Sequence, residues 1–127
     1  MSLPTPENQR FASVWDALED TPQQAARMKA RSALRMAFEA GLMPYPVAIE
    51  PGNDTTAWGV VVPDLPGCFS AGDTLEEAML QAGKSVTTWI EVAFDSGQDI
   101  PVPSRIEALR AAHPEFKGWL WALVVPA

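Results

Sequence analysis

Residues 63–78 read Pro63-Asp64-Leu65-Pro66-Gly67-Cys68-Phe69-Ser70-Ala71-Gly72-Asp73-Thr74-Leu75-Glu76-Glu77-Ala78. The first five break any strand that enters them, because proline lacks a backbone donor and glycine accepts turn geometry. Cys68-Phe69-Ser70 leaves room for a short strand at most. Asp73-Thr74 then opens a helix, with Thr74 and Glu77, or Asp73 and Glu76, at capping-box spacing. Beyond it Leu75, Ala78, Met79, Ala82, Val86, Trp89, Ile90 and Ala93 recur at three and four residues, so one helical face is apolar. Gly97 ends that face. The stretch is a turn, a short strand and a helix start in succession.

Upstream, Tyr45, Val47 and Ile49 alternate with Pro46, Ala48 and Glu50, the period of a strand. Residues 51–56 carry turn chemistry, and Ala57 to Val62 supplies the second strand of a hairpin. Downstream, residues 100–104 (IPVPS) form a stiff connection, and Ser104 to Ala112 reads as a short helix broken by Pro114 and Gly118. The last run, Trp119 to Val125, is apolar at seven consecutive positions. It predicts a strand buried on both faces, or one covered at a subunit interface. Trp89 and one or both of Trp119 and Trp121 are expected in the core.

Residues 1–43 precede the strands. Residues 11–18 make one short apolar turn or helix. Asp20-Thr21-Pro22 starts a longer one, whose face of Ala25, Ala26, Ala30, Ala33, Leu34, Ala37 and Phe38 ends at Gly41. The expected division is an N-terminal helical extension, 1–43, and an α+β domain, 44–127, with strand order β-β-β-α-β along the chain.

Nine Lys and Arg against sixteen Asp and Glu give a net charge of −7 over 127 residues. Nonspecific duplex binding depends on neutralising phosphates, so nucleic acid is not the expected partner; a basic protein is. Cys68 and His113 are the sole cysteine and histidine, which excludes an intrachain disulfide and a two-histidine metal site. No run approaches the ~20 apolar residues of a membrane helix. The N-terminal residues lack the basic and apolar regions of a signal peptide. The reading is a cytoplasmic protein with no cofactor.

Several chemistries can be drawn and weighed. Asp54, Asp64 and Asp73 lie near loops, and a carboxylate cluster could hold Mg²⁺ in a nuclease. Turn and capping chemistry already accounts for all three. His113 sits at a helix end without a nucleophile elbow. Cys68 reads as a packed hydrophobe. No catalytic or metal-binding residue is assigned. Arg27, Arg31 and Arg35 form the one cationic stripe, at four-residue spacing on the first long helix; they are candidate phosphate contacts for a DNA-binding regulator.

The run PDLPGCFSAGDTLEEA (63–78) resembles the signature of the HicB family, antitoxins of the HicA–HicB toxin–antitoxin systems. YPVAIEPG, AWGVVVPD, IPVPS and the terminal strand match in order and spacing, so the resemblance covers about residues 45–125. It implies a truncated RNase H-like fold: a three-stranded antiparallel sheet, a helix across it and a returning strand. It also implies a function without catalysis, in which the protein binds and masks HicA, a small basic RNA-cleaving toxin. Many HicB proteins carry a DNA-binding module after the last strand; the sequence stops at Ala127, so that module is not expected here. Residues 11–34 (FASVWDALEDTPQQAARMKARSAL) are similar to the leader of the Xre-like helix-turn-helix repressors, but a strand follows where the helix-turn-helix would stand.

The candidate contacts with a basic toxin are Asp54, Trp58, Asp64, Asp73, Glu76 and Glu77. A homodimer or higher homo-oligomer is expected, with Cys68, Phe69, Ser70, Trp119 and Trp121 at its interface. These cover a sheet edge and an apolar strand that a single copy would leave open.

Overall fold

The computed structural model describes residues 22–126. The chain divides into two units at Ala33–Leu34, inside one helix, and the second carries the sheet. The apolar turn expected at 11–18, Trp15, and the Asp20-Thr21 helix start lie outside the described residues.

Helix α1 spans Pro22–Glu39, with proline at its first position as expected. Gly41, at φ 77°, ends it: Leu42 N–H donates to the Ala37 carbonyl and Gly41 N–H to that of Phe38. Strands β1 (Tyr45–Glu50), β2 (Trp58–Val61) and β3 (Phe69–Gly72) follow, then helix α2 (Leu75–Asp95). A short helix α3 (Ile106–Ala112), a 3-10 turn (Pro114–Phe116) and strand β4 (Leu120–Val124) complete the chain. The sheet is antiparallel throughout, in the order β3-β2-β1-β4. It is the expected α+β arrangement, a hairpin extended by β3, a crossing helix and a returning strand. Pro46 fits inside the central strand because pairing with β2 begins only at Ala48.

Alternation along β1 puts Tyr45, Val47 and Ile49 on one face, where they join Val60, Val62, Leu65 and the α2 stripe Ala78, Ala82, Val86, Ile90 and Ala93. Small residues at Ala78, Ala82 and the buried Gly83 let α2 approach the sheet closely. Each buried Val or Ile contributes about 1.5–3 kcal/mol. Phe38 and Met43, which precede residue 44, belong to the same core; Phe38 packs 6.2 Å, centroid to centroid, from Tyr45.

The opposite face of β1 is also covered. Ala48 is fully buried and pairs with Trp121, whose ring meets Phe116 edge-on at 6.2 Å. The chain leaves the end of α2, bonds the Tyr45 hydroxyl through the Pro101 carbonyl, and returns along the back of the sheet as α3 and the 3-10 turn.

The terminal run corrects one expectation. β4 is an outer strand and is not buried on both faces in this chain: Leu120 is 48% and Leu123 53% exposed. Trp119 and Trp121 are half-buried and stand outside the core cluster, gathered around Phe116, whereas Trp89 packs against it. An apolar run records a preference for burial, but strand order decides how many neighbours are available. β3 also runs further than expected, to Gly72, because its pairing with β2 extends from Phe69 opposite Val61 to Gly72 opposite Trp58.

Candidate functional site

The hairpin turn between β1 and β2 is built on Asn53. Its side-chain oxygen accepts from the backbone N–H of Thr55 (2.8 Å) and Thr56 (2.9 Å) and from the Thr55 hydroxyl. Gly52 is required there, since a Cβ would lie 2.6 Å from the Thr56 carbonyl oxygen and 2.7 Å from the Trp58 ring. The turn leaves Asp54 exposed at its tip.

Across from Trp58, β3 ends at Gly72 and α2 begins at once. A Cβ on Gly72 would lie 2.5 Å from the Ala78 nitrogen, so only glycine lets the helix start this close to the strand. Of the two capping pairs, Thr74 with Glu77 is the one formed. Glu77 N–H donates to the Thr74 hydroxyl at 3.1 Å, and the Glu77 carboxylate accepts the Asp73 N–H at 2.9 Å. Glu76 and Glu77 stand in the first turn, where the helix dipole favours negative charge.

These two constructions share one end of the sheet. A cavity lined by residues 53–57 and Asp73 joins the hairpin turn to the helix start. Asp54 and Asp73 are exposed at this cavity, Glu76 and Glu77 are exposed in the helix turn that follows, and no Lys or Arg occurs between Arg35 and Lys84. Residues 34–127 hold five basic and twelve acidic residues, so the whole net charge of −7 resides in this unit. Trp58, at the start of β2, is half-buried and packs against the core.

Asp64 is placed elsewhere. Its carboxylate accepts both the N–H (2.8 Å) and the hydroxyl (2.6 Å) of Ser104, tying the β2–β3 loop to the segment after α2. The same loop is pinned by Trp89, whose indole N–H donates to the Pro66 carbonyl at 3.0 Å, and by Gly67 at φ 80°. Leu65 is thereby driven fully into the core.

The residues expected at an oligomer interface divide. Phe69 is 68% exposed on the edge strand β3. Cys68 corrects the expectation: it is 5% exposed and faces the core, where burial pushes its thiol up to about 11. Ser70 also turns inward, its hydroxyl donating to the Ala78 carbonyl. Trp119 and Trp121 are half-buried near Phe116.

Arg35 of the cationic stripe is engaged within its own unit. Its Nε donates to Glu39 at 3.1 Å, and its guanidinium lies 4.4 Å from the centre of the Phe94 ring. Arg27 and Arg31 lie on the part of α1 that belongs to the first unit. Among the described residues no three carboxylate, histidine or cysteine side chains gather closely enough to hold a metal ion. No helix among them is long and apolar enough to cross a membrane.

The fold and its acidic end can be set beside known proteins. A family model described as "HicB_like antitoxin of bacterial toxin-antitoxin system" matches residues 45–125. Antitoxin HicB 2 of Photorhabdus laumondii subsp. laumondii is 40% identical over 62 residues, 49% of this chain and 43% of that protein. The crystal structure of the Burkholderia pseudomallei antitoxin HicB superposes with a TM-score of 0.57 at 35% identity, covering 65% of this chain and 61% of the other. A chain of the HicA3 and HicB3 toxin–antitoxin complex gives a TM-score of 0.53 at 25% identity, covering 67% and 99%. The chain spans about half the length of the curated relatives it matches, from 43% to 59%. The family match takes in all four strands, α2 and the Asp64–Ser104 tie, and the protein therefore belongs to the HicB-like antitoxin family of bacterial toxin–antitoxin systems.

Proposed function

We propose that this chain is a non-enzymatic antitoxin that binds and neutralises a small basic HicA-type RNA-cleaving toxin. The observation that carries the reading is the carboxylate-rich end of the sheet: Asp54 and Asp73 line one cavity, exposed Glu76 and Glu77 follow in the first turn of α2, and no Lys or Arg occurs between Arg35 and Lys84. Complementary potential steers association with a basic protein, and the half-buried Trp58 indole at the start of β2 is the apolar contact in this reading. Family membership and the likeness to a chain of a HicA–HicB complex support the same partner class. Asp64 contributes by shaping the β2–β3 loop.

The truncated RNase H-like description, the division into a 1–43 extension and a 44–127 domain, and a cytoplasmic location belong to the same reading. A homo-oligomer belongs to it as well. Both outer strands carry exposed large apolar residues, Phe69 on β3 and Leu120 and Leu123 on β4, and pairing between copies removes such edges. The engagement of Arg35 by Glu39 and Phe94 weakens the rival DNA-reading stripe. The nuclease rival needs three convergent carboxylates.

The test is reconstitution with a HicA-type toxin from the same genome. The proposal expects co-elution on size exclusion and loss of the toxin's RNA cleavage at equimolar ratio. RNA cleavage that continues unchanged in the presence of excess protein contradicts it.

A further inference from the structure

The segment between α3 and β4 folds four rings together. Pro114 starts the 3-10 turn, and Gly118 at φ 86° reverses the chain so that Trp119 N–H donates to the Phe116 carbonyl at 3.0 Å. Phe116 becomes the hub: His113 stacks on it at 5.4 Å and 25°, Trp119 lies 4.7 Å away, and Trp121 meets it at 6.2 Å. All four rings remain half-buried. They line a cavity of about 460 Å³, inside the ~300–1,000 Å³ range of ligand sites.

The charge of this cavity is opposite to that of the molecule. Arg110 and Lys117, both exposed, line it, and no carboxylate does. Glu115, the neighbouring acid, is hydrogen-bonded to His113 Nδ1 at 3.0 Å. Glu50 leans over Gly59, on the β2 side of its strand. Half-open aromatic faces beside two cations, with no carboxylate among the lining residues, suit a flat ring joined to an anionic group.

We propose that this cavity binds a nucleotide, the base stacking on Trp119 and the phosphate held by Arg110 and Lys117. Stacking tolerates any base, and cations track the phosphate, as in single-strand binding generally. The net charge of −7 opposes wrapping a duplex, which needs many phosphate contacts, but one nucleotide needs two cations and a ring. The proposal is independent of toxin binding.

The test follows the indole N–H signals of the full chain by ¹H–¹⁵N NMR at low salt, titrating AMP, ribose 5-phosphate, hexa-adenylate RNA and a hexaglutamate peptide. Saturable shifts of the Trp119 and Trp121 signals with AMP are expected, with ribose 5-phosphate weaker by about tenfold for want of a base to stack. Hexa-adenylate binding tighter than AMP marks a single strand as the source, and equal affinity marks a free nucleotide; both support the site. Arg110→Ala/Lys117→Ala and Trp119→Ala should each weaken AMP by roughly tenfold, while Trp119→Phe retains most of it. The charge variant alters exposed side chains, so its unchanged melting temperature serves as the folding control. No saturable shift at millimolar AMP, ribose 5-phosphate or hexaglutamate binding as tightly as AMP, or full affinity in Arg110→Ala/Lys117→Ala overturns the proposal.

Discussion

Asp64 and Ser104 are forty positions apart, yet one carboxylate accepts both the backbone N–H and the hydroxyl of the serine. That pair closes the β2–β3 loop against the connection that carries the chain to the back of the sheet. Burial, and secondarily the Asp64 charge, push the neighbouring Tyr45 phenol up to about 12. Asp64→Ala is expected to cost about 1.5–3 kcal/mol, the range for a hydrogen bond to a charged group. A double-mutant cycle with Ser104→Ala in urea should return a positive coupling of about 1 kcal/mol. Additive single-variant effects would mean that the two residues act separately.

Phe38 is fully buried although it lies on α1, outside the strands. Phe38→Ala should lower stability by about 3–5 kcal/mol, the cost of a large core ring. Met36, two positions earlier and 68% exposed, is the control, and Met36→Ala should stay within about 0.5 kcal/mol. Similar losses from both would show that the helix contributes by propensity alone.

The Cys68 thiol, raised to about 11 by burial, should alkylate slowly at pH 8 in the native protein and rapidly in urea. The linkage has a defined sign. The folded state keeps the proton that the unfolded state releases from about pH 8.5 upward. Stability is therefore complete below that pH and falls as pH rises towards 11. Cys68→Ala should remove this part of the alkaline decline. Native and unfolded thiols that alkylate at equal rates would contradict the buried placement.

Thr74 and Gly72 set the start of α2. Thr74→Ala should cost about 1 kcal/mol through the lost cap. Gly72→Ala should cost more, because its Cβ meets backbone at 2.5 Å and backbone cannot swing aside. Thermal unfolding of the two variants orders them, and a Gly72→Ala protein as stable as the parent would mean that the strand–helix junction gives way freely.

Local signals marked these elements well. Gly41 and Gly97 end helices by the same left-handed turn, and Thr74 with Glu77 forms the predicted cap. Strand alternation over Tyr45–Ile49 reported the core face correctly. What escaped local reading depended on partners distant in sequence. Asp64 looked like a surface acid because Ser104 is far along the chain. Trp119–Val125 fitted a doubly buried strand as well as one covered at a subunit interface, because composition cannot tell an inner strand from an outer one. Cys68 and Phe69 are adjacent, and a one-residue difference in a strand separates the core from solvent. The acidic end is the intermediate case: the residues could be named from charge, but only the hairpin and helix start bring Asp54 and Asp73 to one cavity.

A basic toxin seated on the carboxylate end of the sheet, as proposed, would lose affinity when that charge is reversed. The measurement is calorimetric titration of a HicA-type toxin from the same genome into the parent chain and into Asp54→Lys/Asp73→Lys/Glu76→Lys, at two salt concentrations. These three side chains are exposed, and the Thr74–Glu77 cap is untouched, so the variant should fold. The account predicts affinity reduced by at least about 100-fold in the variant and a salt dependence weaker than the parent's, since reversing three charges at one interface removes attraction and adds repulsion. Equal affinity and equal salt dependence in the two proteins would contradict it.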